Sequence, residues 1–176
     1  MDELQCERIR DLIRRDNPDA LNLIYDAMGS QLYGHVLGLV GSESEAEDII
    51  QDLFVRLAHR RRNLLNAGNL EAYIFAMARN LARDAIGLRP RNMISIDEYP
   101  QVLEYEATAP DPVRNDGSLL KALLALPIAQ REIITMKCLG AMSFDAIARC
   151  LGISINTAAS RYRYALNKLR HRMKVK

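Results

Sequence analysis

The residues best suited to chemistry lie near the C-terminal end of the chain, and their chemistry is the binding of a polyanion. From residue 156 to residue 176 there are seven Lys and Arg residues and no Asp or Glu. Residues 118–176 contain eleven basic against two acidic residues, whereas 1–86 contain ten against fourteen and 87–117 three against six. Because cationic side chains neutralise phosphates, this asymmetry predicts that the C-terminal part binds nucleic acid.

A helix-turn-helix pattern positions this basic segment. Ser143 is predicted to cap a short helix, Gly152 to form the turn that a residue without Cβ adopts cheaply, and Ser154 to cap the last helix. One side of that helix carries the apolar residues expected to be buried, namely Ala158, Tyr162, Ala165 and Leu169. The remaining surface is predicted to contact base edges and phosphates through Ser154, Asn156, Thr157, Ser160, Arg161, Arg163, Tyr164 and Lys168.

No set of ionisable side chains suggests an active site. The three cysteines and three histidines are too widely spaced for a disulfide framework or a metal site: Cys6, Cys138, Cys150, His35, His59 and His171. Glycine-rich phosphate-binding patterns are absent from the sequence. We therefore expect no catalytic residue, no metal and no cofactor, and an enzyme is the remotest interpretation.

The elements that position these residues are predicted to be helices throughout. Apolar residues recur at three- and four-residue steps in four segments on each side of a proline-containing stretch. The helices are expected at about 3–15, 18–40, 44–61, 70–86, 119–126, 129–138, 144–151 and 154–173. A capping box at Ser44 is expected to open the third. A short extended piece is expected at 93–96.

Proline and acidic residues separate the two groups of helices. Four of the six prolines lie between residues 90 and 112, where continuous helix is excluded because proline donates no backbone hydrogen bond. The sequence therefore predicts an all-α protein with helical domains at 1–87 and 118–176, joined by a flexible linker at 88–117. No apolar run reaches the length of a membrane span, and we expect a cytoplasmic protein.

The two groups of helices resemble a known family when they are taken together in order. AEDIIQDLFVRL at 46–57 and LEAYIFAMARNLARD at 70–84 resemble region two of bacterial sigma factors of the extracytoplasmic-function type. LLALP at 123–127, SFDAIA at 143–148 and TAASR at 157–161 resemble region four of the same family. The resemblance covers roughly 18–86 and 118–172. The chain departs from it at Tyr73, where the family usually has tryptophan, and at Ala159, where a basic residue is common.

The resemblance implies roles that composition does not give. The third helix would bind the clamp of RNA polymerase core through Asp48, Gln51, Asp52, Phe54, Arg56 and Leu57. The melted non-template strand of the minus-ten element would be captured by Asn63, Asn66, Asn69, Tyr73, Arg79, Asn80 and Arg83. The last helix would grip the minus-thirty-five duplex, with region four near the polymerase flap. An anti-sigma factor is a further candidate partner, and no membrane insertion is expected.

Two other interpretations remain at this point. A dimeric helix-turn-helix regulator would bind palindromic duplex sites without polymerase, using the first domain to dimerise. A pure interaction protein, such as a module that sequesters a regulator, would not bind DNA. The basic last helix argues against the second of these.

Overall fold

A computed structural model describes residues 1–87 and 117–174, which fold into eight α-helices and two short helical turns. The helices are α1 (Glu3–Arg14), α2 (Asp19–Val40), α3 (Glu43–His59), α4 (Leu70–Ala85), α5 (Gly117–Leu124), α6 (Ile128–Ile134), α7 (Phe144–Leu151) and α8 (Ile155–Lys174). A 3-10 turn, Arg61–Asn66, precedes α4, and a π-helical turn, Thr135–Leu139, continues α6. No strand occurs in these two ranges, so the predicted all-α fold is confirmed. The extended piece expected at 93–96 lies outside the described residues.

The first unit is built around α2, which packs against α1, α3 and α4. Its long apolar face explains this central position, since Ile24, Leu32 and Val36 are all fully buried. Gly41 ends α2 in the left-handed conformation, with φ of 82°, which glycine adopts without a Cβ penalty. The next helix then begins directly, with the hydroxyl of Ser42 accepting from the Glu45 amide at 3.4 Å. The cap predicted at Ser44 therefore lies two residues earlier.

The second unit contains the predicted helix-turn-helix. The Ser143 hydroxyl accepts from the Ala146 amide at 3.1 Å and begins α7. Gly152 ends that helix with φ of 66°. The hydroxyl of Ser154 accepts from the Thr157 amide at 3.1 Å and begins α8. These three local features fix the turn, which is why its residues could be identified from the sequence alone.

The two units pack against each other and share one hydrophobic core. Ile133, Met136 and Met142 of the second unit belong to the same buried cluster as Leu39 and Phe75 of the first. Helix α2 contacts α5, α6 and the π-helical turn, and α4 packs against α7. The sequence predicted two modules joined by a linker and gave no sign of this contact. We refer to this packing of the two units as the closed arrangement.

Glycines of α2 allow the close approach. A Cβ placed on Gly38 would lie 2.5 Å from Cγ2 of Thr135, well inside van der Waals contact. A Cβ on Gly41 would lie 2.6 Å from Cδ1 of Leu124. The absence of side chains at these positions therefore makes room for the second unit.

Candidate nucleic-acid interface

Helix α8 separates a buried apolar side from an exposed polar side. Ala158, Ala165 and Leu169 are buried, and Tyr162 is half-buried against the same core. The predicted DNA-contacting residues lie on the other sides of the helix: Asn156, Ser160, Arg163 and Tyr164 are exposed, and Thr157, Arg161 and Lys168 are half-buried. Tyr164 has 69% of its surface exposed, which is unusual for a large aromatic side chain. The helix thus presents polar and cationic groups on a rigid element.

The first turn of α8 is held by its own hydroxyl groups. In addition to capping the helix, the Ser154 hydroxyl lies 2.8 Å from that of Thr157. The Ser160 hydroxyl donates to the Thr157 carbonyl at 3.1 Å. Ser154, predicted to contact DNA, therefore acts as a helix cap in this structure, and Asn156 is the exposed amide side chain beside it.

The asparagines predicted to capture the minus-ten element have different environments. Asn63 and Asn66 are exposed on the 3-10 turn, and Leu64 between them is only 1% exposed and anchors the turn in the core. The side-chain oxygen of Asn69 accepts from the Ala72 amide at 2.8 Å and caps α4. Two of the three asparagines therefore present their amides to solvent, and the third begins the next helix.

The predicted minus-ten residues of α4 are divided between solvent and the second unit. Asn80 is exposed, and Tyr73 is half-buried against the core. Nε of Arg79 donates to the Glu132 carboxylate at 2.8 Å, and Nη1 of Arg83 donates to it at 3.0 Å. Both arginines are therefore paired with α6 in the closed arrangement, and only 21% and 25% of their side-chain surfaces are exposed.

Glu132 is a residue that the sequence analysis missed. Its side chain is only 3% exposed, and it is one of just two acidic residues in 118–176. An acid retained in an otherwise basic segment was the available signal, because a buried carboxylate needs cationic partners. Its partners could not be identified, since they lie about fifty positions earlier in the chain.

Two further buried polar groups cross between the units. Arg131 donates through Nη1 to the Leu39 carbonyl at 2.7 Å, and burial lowers the pKa of its guanidinium. Nδ1 of His35 lies 2.8 Å from the Thr135 hydroxyl, which itself donates to the carbonyls of α6. Burial, with a smaller effect from the charge of Arg79, lowers the pKa of His35 to about 3.

The predicted polymerase-binding residues form a face on α3. Asp48 and Gln51 are exposed, and Arg56 pairs with Asp52, with Nη2 and Oδ2 2.9 Å apart. The ring of Phe54 packs edge-on against Tyr25 at 5.4 Å between centroids.

Leu57 requires a correction. Its side chain is 1% exposed and belongs to the core of the first unit. It cannot contact a partner in this structure, because the helical stripe that includes Leu53 and Leu57 faces inward. Val55, which is 53% exposed, is the apolar residue that α3 presents to solvent instead.

The remaining described surface includes a shallow cavity beside the 3-10 turn. The cavity, of about 500 Å³, lies at the end of α3 and is lined by Asp16, Ala58, His59, Arg60, Arg61, Arg62 and Asn63. Within 1–87 and 117–174 no group of three His, Cys, Asp or Glu side chains could hold a metal ion. None of the helices described is long and apolar enough to cross a membrane.

Comparison with known proteins places both units among proteins of one family. The sequence matches the family described as Sigma-70 region 2 over residues 24–89 and that described as Sigma-70, region 4 over residues 116–169. It is 30% identical over 158 residues to the ECF RNA polymerase sigma factor SigL of Mycobacterium tuberculosis, covering 85% of this chain and 86% of that protein. It is 28% identical to the ECF sigma factor BldN of Streptomyces coelicolor, covering 82% of this chain but only 58% of that protein.

Two solved structures have the same architecture. The sigma factor RpoE in complex with the anti-sigma factor NepR, from Bartonella quintana, superposes with a TM-score of 0.61 at 25% identity, covering 82% of this chain and 91% of that one. CnrH in complex with the cytosolic domain of CnrY gives a TM-score of 0.68 at 20% identity, covering 97% of this chain and 95% of that one, a likeness of fold.

Proposed function

Because the chain belongs to the extracytoplasmic-function sigma factors of the sigma-70 family, which bind RNA polymerase core and direct it to promoters, we propose how its two units divide that work. Residues 118–176 grip the minus-thirty-five duplex through α8. Residues 1–87 bind polymerase through α3 and hold the melted minus-ten strand, and residues 88–117 join the two. The observation that carries this division is α8, whose cationic and polar surface lies opposite a buried seam.

The protein acts by binding and carries out no chemical step of its own. A site that holds the unpaired strand more tightly than the duplex shifts the DNA towards the melted state by that difference in affinity. Each tenfold preference contributes about 1.4 kcal/mol to opening. The amides of Asn63 and Asn66 suit this role, since an amide both donates to and accepts from a base edge. The place of action is the cytoplasm.

The closed arrangement is a resting form that opens when the protein is used. While both donate to Glu132, Arg79 and Arg83 have part of their hydrogen-bonding capacity and most of their surface withdrawn from a DNA strand. Polymerase and promoter bind the open form more tightly, and this difference in affinity drives the opening. A protein partner that prefers the closed form would have the opposite effect. The two solved relatives are bound to NepR and to CnrY, and we expect an anti-sigma factor of this kind for the present chain.

A dimeric helix-turn-helix regulator is not favoured as an alternative. Such a regulator needs only the second unit to resemble this family, whereas both units match it in order. The two interpretations differ in whether polymerase is needed, because a dimeric regulator would bind duplex DNA without polymerase.

Transcription from a promoter library with purified core polymerase tests the proposal. The chain should associate with core, and the starts that depend on it should share sequence elements near minus ten and minus thirty-five. Exchanging Asp48 and Gln51 for alanine should weaken core association while leaving duplex binding by α8 intact. Starts that occur equally without the chain, or palindromic binding that needs no polymerase, would overturn it.

A further inference from the structure

Helix α1 lies before the residues matched by the family, yet it contacts the 3-10 turn that carries Asn63 and Asn66. We propose that Arg10 and Asp16 are positioning residues of the minus-ten site and set how strictly its asparagines select bases. This inference rests on the proposed function of the turn, and it adds an element and two side chains to that site.

Arg10 holds the end of the turn. Its Nη2 donates to the backbone carbonyl of Ala67 at 3.0 Å, across fifty-seven positions of the chain. Its Nη1 pairs with Glu7 at 2.6 Å, so the guanidinium group is held from its own helix as well. Ala67 directly follows Asn66. The hydrogen bond therefore fixes the backbone beside one of the two exposed asparagines.

Asp16 holds the start of the turn. Nε of Arg61, the first residue of the turn, donates to the Asp16 carboxylate at 3.0 Å, and Nη2 pairs with the same oxygen. Asp16 has φ of 59°, a left-handed conformation that Asp and Asn adopt more readily than most residues. Its amide bonds to the Ile13 carbonyl at 3.1 Å and closes the end of α1. The turn is thus tied to α1 at both ends.

These two ties hold the ends of the turn, whereas its middle is held by Leu64 and Leu65, which pack on the core. Of its six residues, Leu64 is the one that is fully buried. Base selection by an amide requires the side chain to be held to within about half an ångström of its productive position. The pair between Arg61 and Asp16 leaves 30% and 60% of the two side chains exposed, so it contributes little to stability. Loss of this ion pair should therefore change base selection and leave the stability of the protein nearly unchanged.

The experiment compares Arg10→Gln and Asp16→Asn, in the full chain with core polymerase, on promoters whose minus-ten element is randomised. Asn at position 16 keeps the left-handed backbone and removes only the charge. Arg14→Gln is the matched control, because Arg14 pairs with Asp11 on the same helix at 2.5 Å and does not reach the turn. Each test variant should lower the ratio of preferred to disfavoured minus-ten bases by about fivefold, the lower end of what one base contact is worth.

Selection at minus thirty-five and core association should stay unchanged in both variants, and the melting temperature should stay unchanged for Asp16→Asn, which a merely structural role would not predict. The effect of Asp16→Asn should disappear when Arg61→Gln is already present, because Asp16 acts through Arg61. Unaltered minus-ten preferences, or an equal loss on every promoter, would overturn the inference. A wild-type chain that starts no transcription would instead overturn the proposed function of the turn, so the two failures are distinct.

Discussion

Glu132 is the side chain around which the charged contact between the two units is organised. Its carboxylate accepts from Arg79 at 2.8 and 3.3 Å and from Arg83 at 3.0 Å. A buried carboxylate that loses its cations is costly, so the closed arrangement depends on all three residues. The same two arginines are those expected to contact the melted strand.

Neutralising this carboxylate should favour the open form. Glu132→Gln keeps the shape of the side chain and removes the charge, which should weaken the closed arrangement by roughly 2 kcal/mol, less than a fully buried pair is worth. Binding of a single-stranded minus-ten oligonucleotide, measured by fluorescence anisotropy without polymerase, should become tighter. Asp145→Asn is the control, since Asp145 is the other acid of 118–176 and pairs with Arg149 on its own helix. Equal affinities for the two variants would contradict this role of Glu132.

Alanine substitutions at two exposed residues of α8 should both weaken DNA binding, but with different dependence on salt and on DNA sequence. Arg163→Ala should weaken binding to every duplex and reduce the slope of log affinity against log salt by about one, as expected for a lost phosphate contact. Asn156→Ala should cost about 1–3 kcal/mol on the preferred minus-thirty-five sequence and little on others. Duplex binding titrations at several salt concentrations separate the two effects. If both variants lost the same affinity on all sequences, Asn156 would contact the DNA phosphate backbone and not a base.

His35 makes the closed arrangement sensitive to acid. The group is a base whose pKa is lowered from 6.5 to about 3 by burial, so the closed form favours the neutral ring. Its contribution is complete above pH 6.5 and is lost as the pH falls from there towards 3. Relative to a form in which the ring is fully exposed to water, the closed form should therefore lose about 1.4 kcal/mol between pH 7.5 and 5.5.

Small-angle X-ray scattering at the two pH values measures this effect as an increase in the radius of gyration. His35→Leu removes the titrating group and should remove that part of the increase. The charged group that acts on the ring is Arg79, whose guanidinium is itself paired with the Glu132 carboxylate. An identical response to pH in His35→Leu would show that another group is responsible.

At the scale of elements, α2 supports both units at once. Its apolar face forms the centre of the first unit, and its glycines receive the π-helical turn of the second. The π-helical turn places the Thr135 side chain against Gly38 and within hydrogen-bond distance of His35. Such local departures from α-helical geometry are often found where a helix meets a functional contact.

A single methyl group on α2 should therefore loosen the contact. Gly38→Ala places a Cβ 2.5 Å from Cγ2 of Thr135, and overpacking of this kind typically costs about 1–3 kcal/mol. The first unit itself should gain stability, because alanine favours helix over glycine by about 1 kcal/mol. Gly29→Ala is the control on the same helix, since its Cβ would meet the ring of Tyr25 in the same unit.

Scattering should report an expanded molecule for Gly38→Ala and a compact one for Gly29→Ala. Transcription with limiting polymerase should rise for the first variant only. A compact Gly38→Ala protein would mean that the neighbouring threonine shifts without opening the interface.

The elements that could be predicted from the sequence are those set by local interactions. The two capped helices around Gly152 are examples, because each cap uses a side chain within three residues of the amide that it bonds. The beginning of α3 was misplaced, since Ser42 and Ser44 both fit a cap and the left-handed Gly41 decides between them. The π-helical turn could not be predicted, because it depends on contacts with α2 that lie a hundred positions away.

In the candidate site, too, only the features set by local sequence could be predicted. The exposed side of α8 follows from helical periodicity and charge, and both were visible in the sequence. The burial of Leu57 and the pairing of Arg79 with Glu132 depend on which surfaces meet in three dimensions. The sequence of one unit carries no direct information about its contact with the other.

At the scale of the whole molecule, the protein can be described by an equilibrium between closed and open arrangements. The closed form buries apolar residues of both units in one core and pairs the arginines of α4 with α6. In the open form that we propose, those arginines and the face of α4 that bears them are released. A partner changes the balance only by the difference between its affinities for the two forms. Polymerase and promoter DNA favour the open form on this account.

The most direct test of the central claim follows a fluorescent adenine analogue placed in the minus-ten element of a promoter recovered from the library. Its emission rises when the base leaves the stacked duplex. We predict that core polymerase and the chain together raise it, that neither does so alone, and that Glu132→Gln increases the rate of the rise. An unchanged signal in the presence of core polymerase and the chain at low salt would contradict the account.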